Sequence, residues 1–146
     1  MSAETRKLAA IMFTDIVGYS AMSQKNEKLA LELLELHREM LRKLFEEHLG
    51  IEIKTIGDAF LVEFASALDA VNCSVEIQQD LQQYNEKCEK DHNIYLRIGI
   101  HVGDVVHRKG DIYGDGVNIS SRLEPLAAPG GGYASPKTSN VRFEIR

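Results

Sequence analysis

An apolar run, Leu8 to Phe13, leads into an acid, Asp15, and a glycine, Gly18, follows three residues later. A run without polar alternation suits the middle of a sheet covered on both faces, or on one face plus a partner. Leu8–Thr14 is therefore expected to be a fully buried strand. A carboxylate at the end of such a strand is costly unless something pairs with it. Helix-rich sequence follows after a short turn, so Asp15 lies beside backbone N–H groups that no helix has yet satisfied. That arrangement suits a metal ion holding a phosphate. Taken alone, the plainer reading is a helix N-cap, where Asp and Ser are favoured for local reasons.

Later segments complete an alternating pattern. Asn26–Leu49 reads as a long helix with a stripe of Leu29, Leu33, Leu36, Met40 and Leu44, closed by Gly50. Its histidines, His37 and His48, read as packing or surface residues. Ile51–Ile56 and Ala59–Phe64 read as two strands joined by Gly57-Asp58. Strict alternation would put Ile51, Ile53 and Thr55 on one face, and Glu52, Lys54 and Ile56 on the other. A second long helix is expected over Ser66–Lys87, with Leu68, Val71, Val75 and Leu81 inward. Ile94–Val102 reads as a strand, Gly103-Asp104 as a turn, and Val105–Arg108 as a hairpin partner. Lys109–Gly116 is a loop rich in glycine and aspartate, and Val117–Leu126 a short helix. Gly130-Gly131-Gly132 breaks the chain before a last strand begins at Tyr133–Ser135. The order is that of an α+β fold with a ferredoxin-like βαββαβ core, a mainly antiparallel sheet with helices packed on it.

Composition narrows the function. The chain has 146 residues, enough for one domain with a real core. A net charge of −5 argues against binding nucleic acid through its phosphates. No stretch approaches membrane-spanning length, and the N-terminus lacks a signal-peptide core. Cys73 and Cys88 fall about four turns apart in one expected helix, too far to bridge, which points to reduced thiols in a cytoplasmic setting.

In a ferredoxin-like sheet the first and third strands are central neighbours. Asp15 at the end of one and Asp58 in the turn before the other could then meet at one edge. Paired carboxylates persist best where divalent cations bridge them, and such pairs suit phosphoryl transfer with two metals. Asp58 alone would read as a turn residue. His101 and His107 have no partner at ligand spacing.

Four segments then occur in order: F-T-D-I-V-G-Y-S, I-K-T-I-G-D-A-F, L-R-I-G-I-H-V-G and D-I-Y-G-D-G-V-N-I-S-S-R-L-E. Together they resemble the catalytic domain of class III nucleotidyl cyclases, the adenylyl and guanylyl cyclases, over about Leu8 to Gly132. The resemblance implies a head-to-tail homodimer with active sites built from both subunits. It implies that Asp15, Asp58 and the Ile16 carbonyl hold two Mg²⁺ or Mn²⁺ ions per site. The turn through Val17 and Gly18 would offer N–H groups to the β- and γ-phosphates, and Arg97 would contact phosphate. Lys54 and Asp111 would read the purine, Asn118 would orient the ribose, and Arg122 would stabilise the transition state. An Asp that accepts from an amine and a Lys that donates to a ring nitrogen match adenine, so ATP is the expected substrate. Asp115, in the same loop, is read as structural.

The family continues past the glycine break with strand-rich sequence and a second phosphate-contacting lysine. Lys137 does not match that motif. The expectation is a single domain, 1–146, truncated at its C-terminal end. The leading function is an adenylyl cyclase making 3′,5′-cyclic AMP and pyrophosphate. A catalytically weak, nucleotide-binding dimerisation module, or a guanylyl cyclase, is the alternative.

Overall fold

The computed structural model of the protein describes residues 5–114, 131–134 and 142–144. Strand β1, Thr5–Ile16, lies at the centre, antiparallel to both β3, Ala59–Phe64, and β4, Leu96–Arg108. Strand β2, Ile51–Ile56, borders β3 at one edge. On the other side β4 is followed by β6, Gly131–Ala134, and β7, Arg142–Glu144, while β5, Asp111–Tyr113, also pairs with β4. All pairings are antiparallel except β4 with β6. The α+β architecture expected from the sequence is present, with the ferredoxin-like order β1, helix, β2, β3, helix, β4.

The non-alternating run in β1 has a direct cause: both of its faces bury apolar side chains. Ala10, Met12 and Ile16 join Phe60, Val62, Ile98 and Ile100 in the main core, under the helices. Ala9 and Ile11 face the other way and form a smaller cluster with Leu61, Val105 and Ile112, to which no helix among the described residues contributes. This second face, whose cluster residues are as fully buried as those of the main core, carries the candidate site.

The helices differ in detail from the expectation. A short helix, α1 (Tyr19–Lys25), precedes α2 (Glu27–Glu47), and Asn26 separates them by capping α2 through the Leu29 N–H. The buried positions of α2 are Ala30, Leu33, Leu34, His37, Leu41, Leu44 and Phe45, with Leu29, Leu36 and Met40 at the margin. Gly50 is not the left-handed closing residue; Leu49 takes that conformation, with φ 63. Gly50 is needed for space, because a Cβ there would sit 2.6 Å from the Phe64 ring.

In α3 (Ala67–Lys87), Ser66 caps the Asp69 N–H as its position suggested. Leu68, however, is exposed, and the buried face is Ala70, Cys73, Ser74, Ile77, Gln78 and Leu81. Counting large aliphatics misplaces this stripe, because half of the side chains the helix turns towards the core are small and one is the polar Gln78. Buried Gln78 is satisfied by donating to the Leu96 carbonyl. Cys73 and Cys88 are both free thiols, and burial pushes Cys73 up to about 12.

Strand β4 corrects another expectation. Gly103-Asp104 is not a turn: β4 runs unbroken over 13 residues, with Gly103 opposite Ala9 and Asp104 opposite Leu8. The twelve-residue β1 pairs with it from Leu96 to His107, and a ladder whose backbone groups are already paired has no reason to reverse. The chain reverses instead at Lys109-Gly110, whose φ values of 53 and 79 suit a tight hairpin. Asp111 therefore lies in strand β5 rather than in a loop, and Ile94 and Tyr95 precede β4. The expected helix over Val117–Leu126 lies outside the described residues.

Candidate active site

Asp15 is the penultimate residue of β1, directly across from Arg97 on β4. Alternation along β1 puts it on the face opposite the helices, in line with Ala9, Ile11 and Phe13. Asp58 sits in the Gly57-Asp58 turn between β2 and β3. Its Oδ2 accepts a hydrogen bond from the Ile16 N–H at 2.8 Å. A carboxylate 42 residues away thus reaches the residue next to Asp15, and both acids gather at one end of the central strands. Arg97 brings positive charge to the same end, with its Nε buried and without a hydrogen-bond partner among the described residues. Two carboxylates beside a backbone carbonyl form an all-oxygen donor set, the kind hard divalent cations prefer.

The turn after β1 is built around Gly18. It has φ 72, which favours glycine, and a Cβ added there would meet nothing within 4 Å. The conformation selects glycine here, and the space beside the turn is open. Gly18 precedes α1 without any side-chain cap. The Val17 N–H donates to the Tyr95 carbonyl at 2.8 Å, so it already has a partner, unlike what the sequence suggested.

Lys54 and Asp111, 57 residues apart, meet as an ion pair with Nζ to Oδ2 at 2.8 Å. This hydrogen bond from Lys54 holds the Asp111 carboxyl below its ordinary range, helped by the Ile112 N–H. The contact depends on an irregularity in β2. Glu52 pairs with Val62 and Lys54 with Leu61, so the register shifts between them. The bulge puts Glu52 and Lys54 on opposite faces, where simple alternation had put them together. Glu52 reaches Arg42 of α2, and Lys54 reaches Asp111 instead.

Asn118, Arg122 and Asp115 lie outside the described residues, as does Lys137. Two features escaped sequence reasoning. Arg38 of α2 donates to the Gly57 carbonyl at 3.1 Å, tying the helix to the turn that carries Asp58. Glu63 of β3, almost fully buried, pairs with His107 at 2.8 Å and with Lys7 at 3.7 Å. A charged residue amid the apolar A-F-L-V-E-F segment was the available signal for the second. No helix among the described residues is long and apolar enough to cross a membrane.

The family model described as the adenylate and guanylate cyclase catalytic domain matches residues 1–142. Over 127 residues the chain is 42% identical to "Putative adenylate cyclase 3" of Rhizobium meliloti (strain 1021), covering 86% of this chain and 22% of that protein. A solved structure titled adenylate/guanylate cyclase/hydrolase, from Silicibacter pomeroyi, is similar with a TM-score of 0.86 at 38% identity, over 92% of this chain and 79% of that one. The guanylyl cyclase Cya2 gives a TM-score of 0.84 at 25% identity, over 94% and 79% of the two chains. The chain spans only 7% to 22% of the length of three curated relatives it matches.

Proposed function

The chain belongs to the family of adenylate and guanylate cyclase catalytic domains, and we propose that it converts ATP to 3′,5′-cyclic AMP and pyrophosphate at sites shared by two copies of the chain. The observation that carries this reading is the Asp58 carboxylate on the Ile16 N–H, which joins a second acid to the strand end that bears Asp15. In this reading Asp15, Asp58 and the Ile16 carbonyl hold two Mg²⁺ or Mn²⁺ ions. Once bound, such ions lower the pKa of the ribose 3′-hydroxyl and neutralise charge on the departing pyrophosphate.

The side chains supply position and charge. Arg97 and the open space at Gly18 receive phosphate oxygens. Lys54 donates to N1 of the purine and Asp111 accepts from the N6 amine, a polarity that guanine would reverse. Since these two groups pair with each other at 2.8 Å, the entering base competes with that ion pair. Asn118 orients the ribose, and Arg122 offsets negative charge as the 3′-oxygen bonds to the α-phosphorus and pyrophosphate leaves. Each site takes its acids from one subunit and its base-reading pair from the other.

The test is incubation of the dimeric protein with each of the four nucleoside triphosphates and Mn²⁺, followed by chromatography for cyclic product. Cyclic AMP should dominate. No cyclic AMP from a folded dimer overturns the proposal, and cyclic GMP as main product overturns the base assignment.

A further inference from the structure

We infer that Arg38 is a positioning residue for the metal-binding carboxylate of Asp58, holding the β2–β3 turn so that Asp58 stays aimed at the end of β1. The inference rests on the proposed role of Asp58. Arg38 projects from the middle of α2, and its Nη2 reaches the Gly57 carbonyl at 3.1 Å while Nη1 pairs with Glu35 at 3.0 Å. Its side chain is only 22% exposed. Asp58 follows Gly57 directly, so the turn is held from two sides: through its carbonyl by Arg38 and through the Asp58 carboxylate by the Ile16 N–H.

The need for such a tether follows from the topology. Strand β2 is at the sheet edge, and both Ile51 and Ile56 are exposed. Turns at the tips of edge hairpins open more readily than core strands. A side chain that must hold a metal within a narrow geometry gains from a fixed base. A second arginine of α2, Arg42, bonds Glu52 through two nitrogens and lies 5.5 Å from the Phe60 ring centroid. It anchors the body of the hairpin, whereas Arg38 anchors its tip.

Charge alone would give Arg38 the opposite effect. A cation near a cation site weakens metal binding, so a purely electrostatic Arg38 would, when neutralised, bind metal more tightly. A positioning Arg38 would, when removed, bind it more weakly. The sign separates the two.

The experiment measures Mn²⁺ binding to the dimeric, nucleotide-free protein by the electron paramagnetic resonance signal of free Mn²⁺. Exchange of the Ile16 amide is followed in metal-free protein by NMR. In Arg38→Leu, Mn²⁺ binding should weaken about tenfold and Ile16 exchange should quicken by a similar factor, as expected for losing a charge-assisted bond. Arg38→Lys should recover most of both. Arg42→Leu should lower the urea midpoint yet leave Mn²⁺ binding within about twofold. Arg38→Gln serves the same purpose should the leucine variant not fold. Unchanged Ile16 exchange, or Mn²⁺ binding as tight as or tighter than wild type, overturns the inference, as does an equal effect of Arg42→Leu. Asp58→Ala should abolish Mn²⁺ binding. If it does not, the metal role of Asp58 fails, and Ile16 exchange alone then decides the role of Arg38.

Discussion

His37 has no exposed surface, although it lies in a helix whose outer face is charged. Its Nδ1 bonds the Leu34 carbonyl, its ring sits 5.4 Å from that of Phe60, and Nε2 has no hydrogen-bond partner among the described residues. The Leu34 carbonyl can only accept, so Nδ1 carries a proton. Burial is the main cause that lowers its pKa from 6.5 to about 4, with the Arg38 and Arg42 charges adding to it. The unfolded chain therefore takes up a proton before the folded one does. Stability is complete above pH 6.5 and falls as the pH drops towards 4, by about 3 kcal/mol from this group. Urea denaturation at pH 7 and pH 4.5 should show that loss shrinking by about 2 to 3 kcal/mol in His37→Leu. An identical acid slope in both proteins would refute it. Lys54 and Asp111 make a second residue-scale prediction. Lys54→Glu with Asp111→Cys removes the adenine polarity, and the preference for ATP over GTP should fall at least about tenfold in competition assays. Unchanged selectivity would mean that the base is read elsewhere.

At the scale of elements, an irregularity and a buried charge do what regular strands cannot. The bulge between Glu52 and Lys54 lets one short strand send Glu52 to α2 and Lys54 to β5. Glu63 links β3 to the far end of β4, and the energetics of that link are asymmetric. His107 and Lys7 are partly exposed and can be hydrated, while the Glu63 carboxylate is 4% exposed and cannot. Removing His107 strands a buried charge; replacing Glu63 with a hydrophobe strands nothing buried. His107→Ala should therefore cost about 2 kcal/mol more than Glu63→Leu in urea denaturation at pH 7. The reverse order would show that Lys7 and water are enough for Glu63. These features also mark the limit of what the chain discloses on reading. Strand β1, the β2–β3 hairpin and α3 were legible because periodicity and capping report local structure. That the Asp58 turn reaches the end of β1 was legible because strand order follows from the βαββαβ pattern. The bulge, the continuation of β4 through Gly103-Asp104 and the Arg38 tether were not. Each depends on a partner distant in sequence: the ladder of β1, the register of β3, or a turn 19 residues away.

At the scale of the whole molecule, the proposed shared site would draw its two halves from separate copies of one chain. Asp15 and Lys54 share the face of the sheet away from the helices. The row Lys54, Leu61, Phe13 crosses from the edge strand to the centre just beside Asp15. In one chain Lys54 is engaged by its own Asp111. If the acids of one subunit work with the base-reading pair of its partner, a symmetric dimer holds two equivalent sites, and each needs both chains. The two halves can then be disabled separately. Asp58→Ala destroys the metal half of both sites in its homodimer, and Lys54→Glu the base-reading half. Mixing equal amounts of the two variants and letting subunits exchange gives roughly half heterodimers, each with one intact and one doubly damaged site. Cyclic AMP formation should rise from near zero in either variant to roughly a quarter of the wild-type rate per chain. If the acids and the base readers served the same site within one chain, every site would stay damaged and mixing would restore nothing. The recovered fraction therefore tells a shared site from a self-contained one without any structure of the complex.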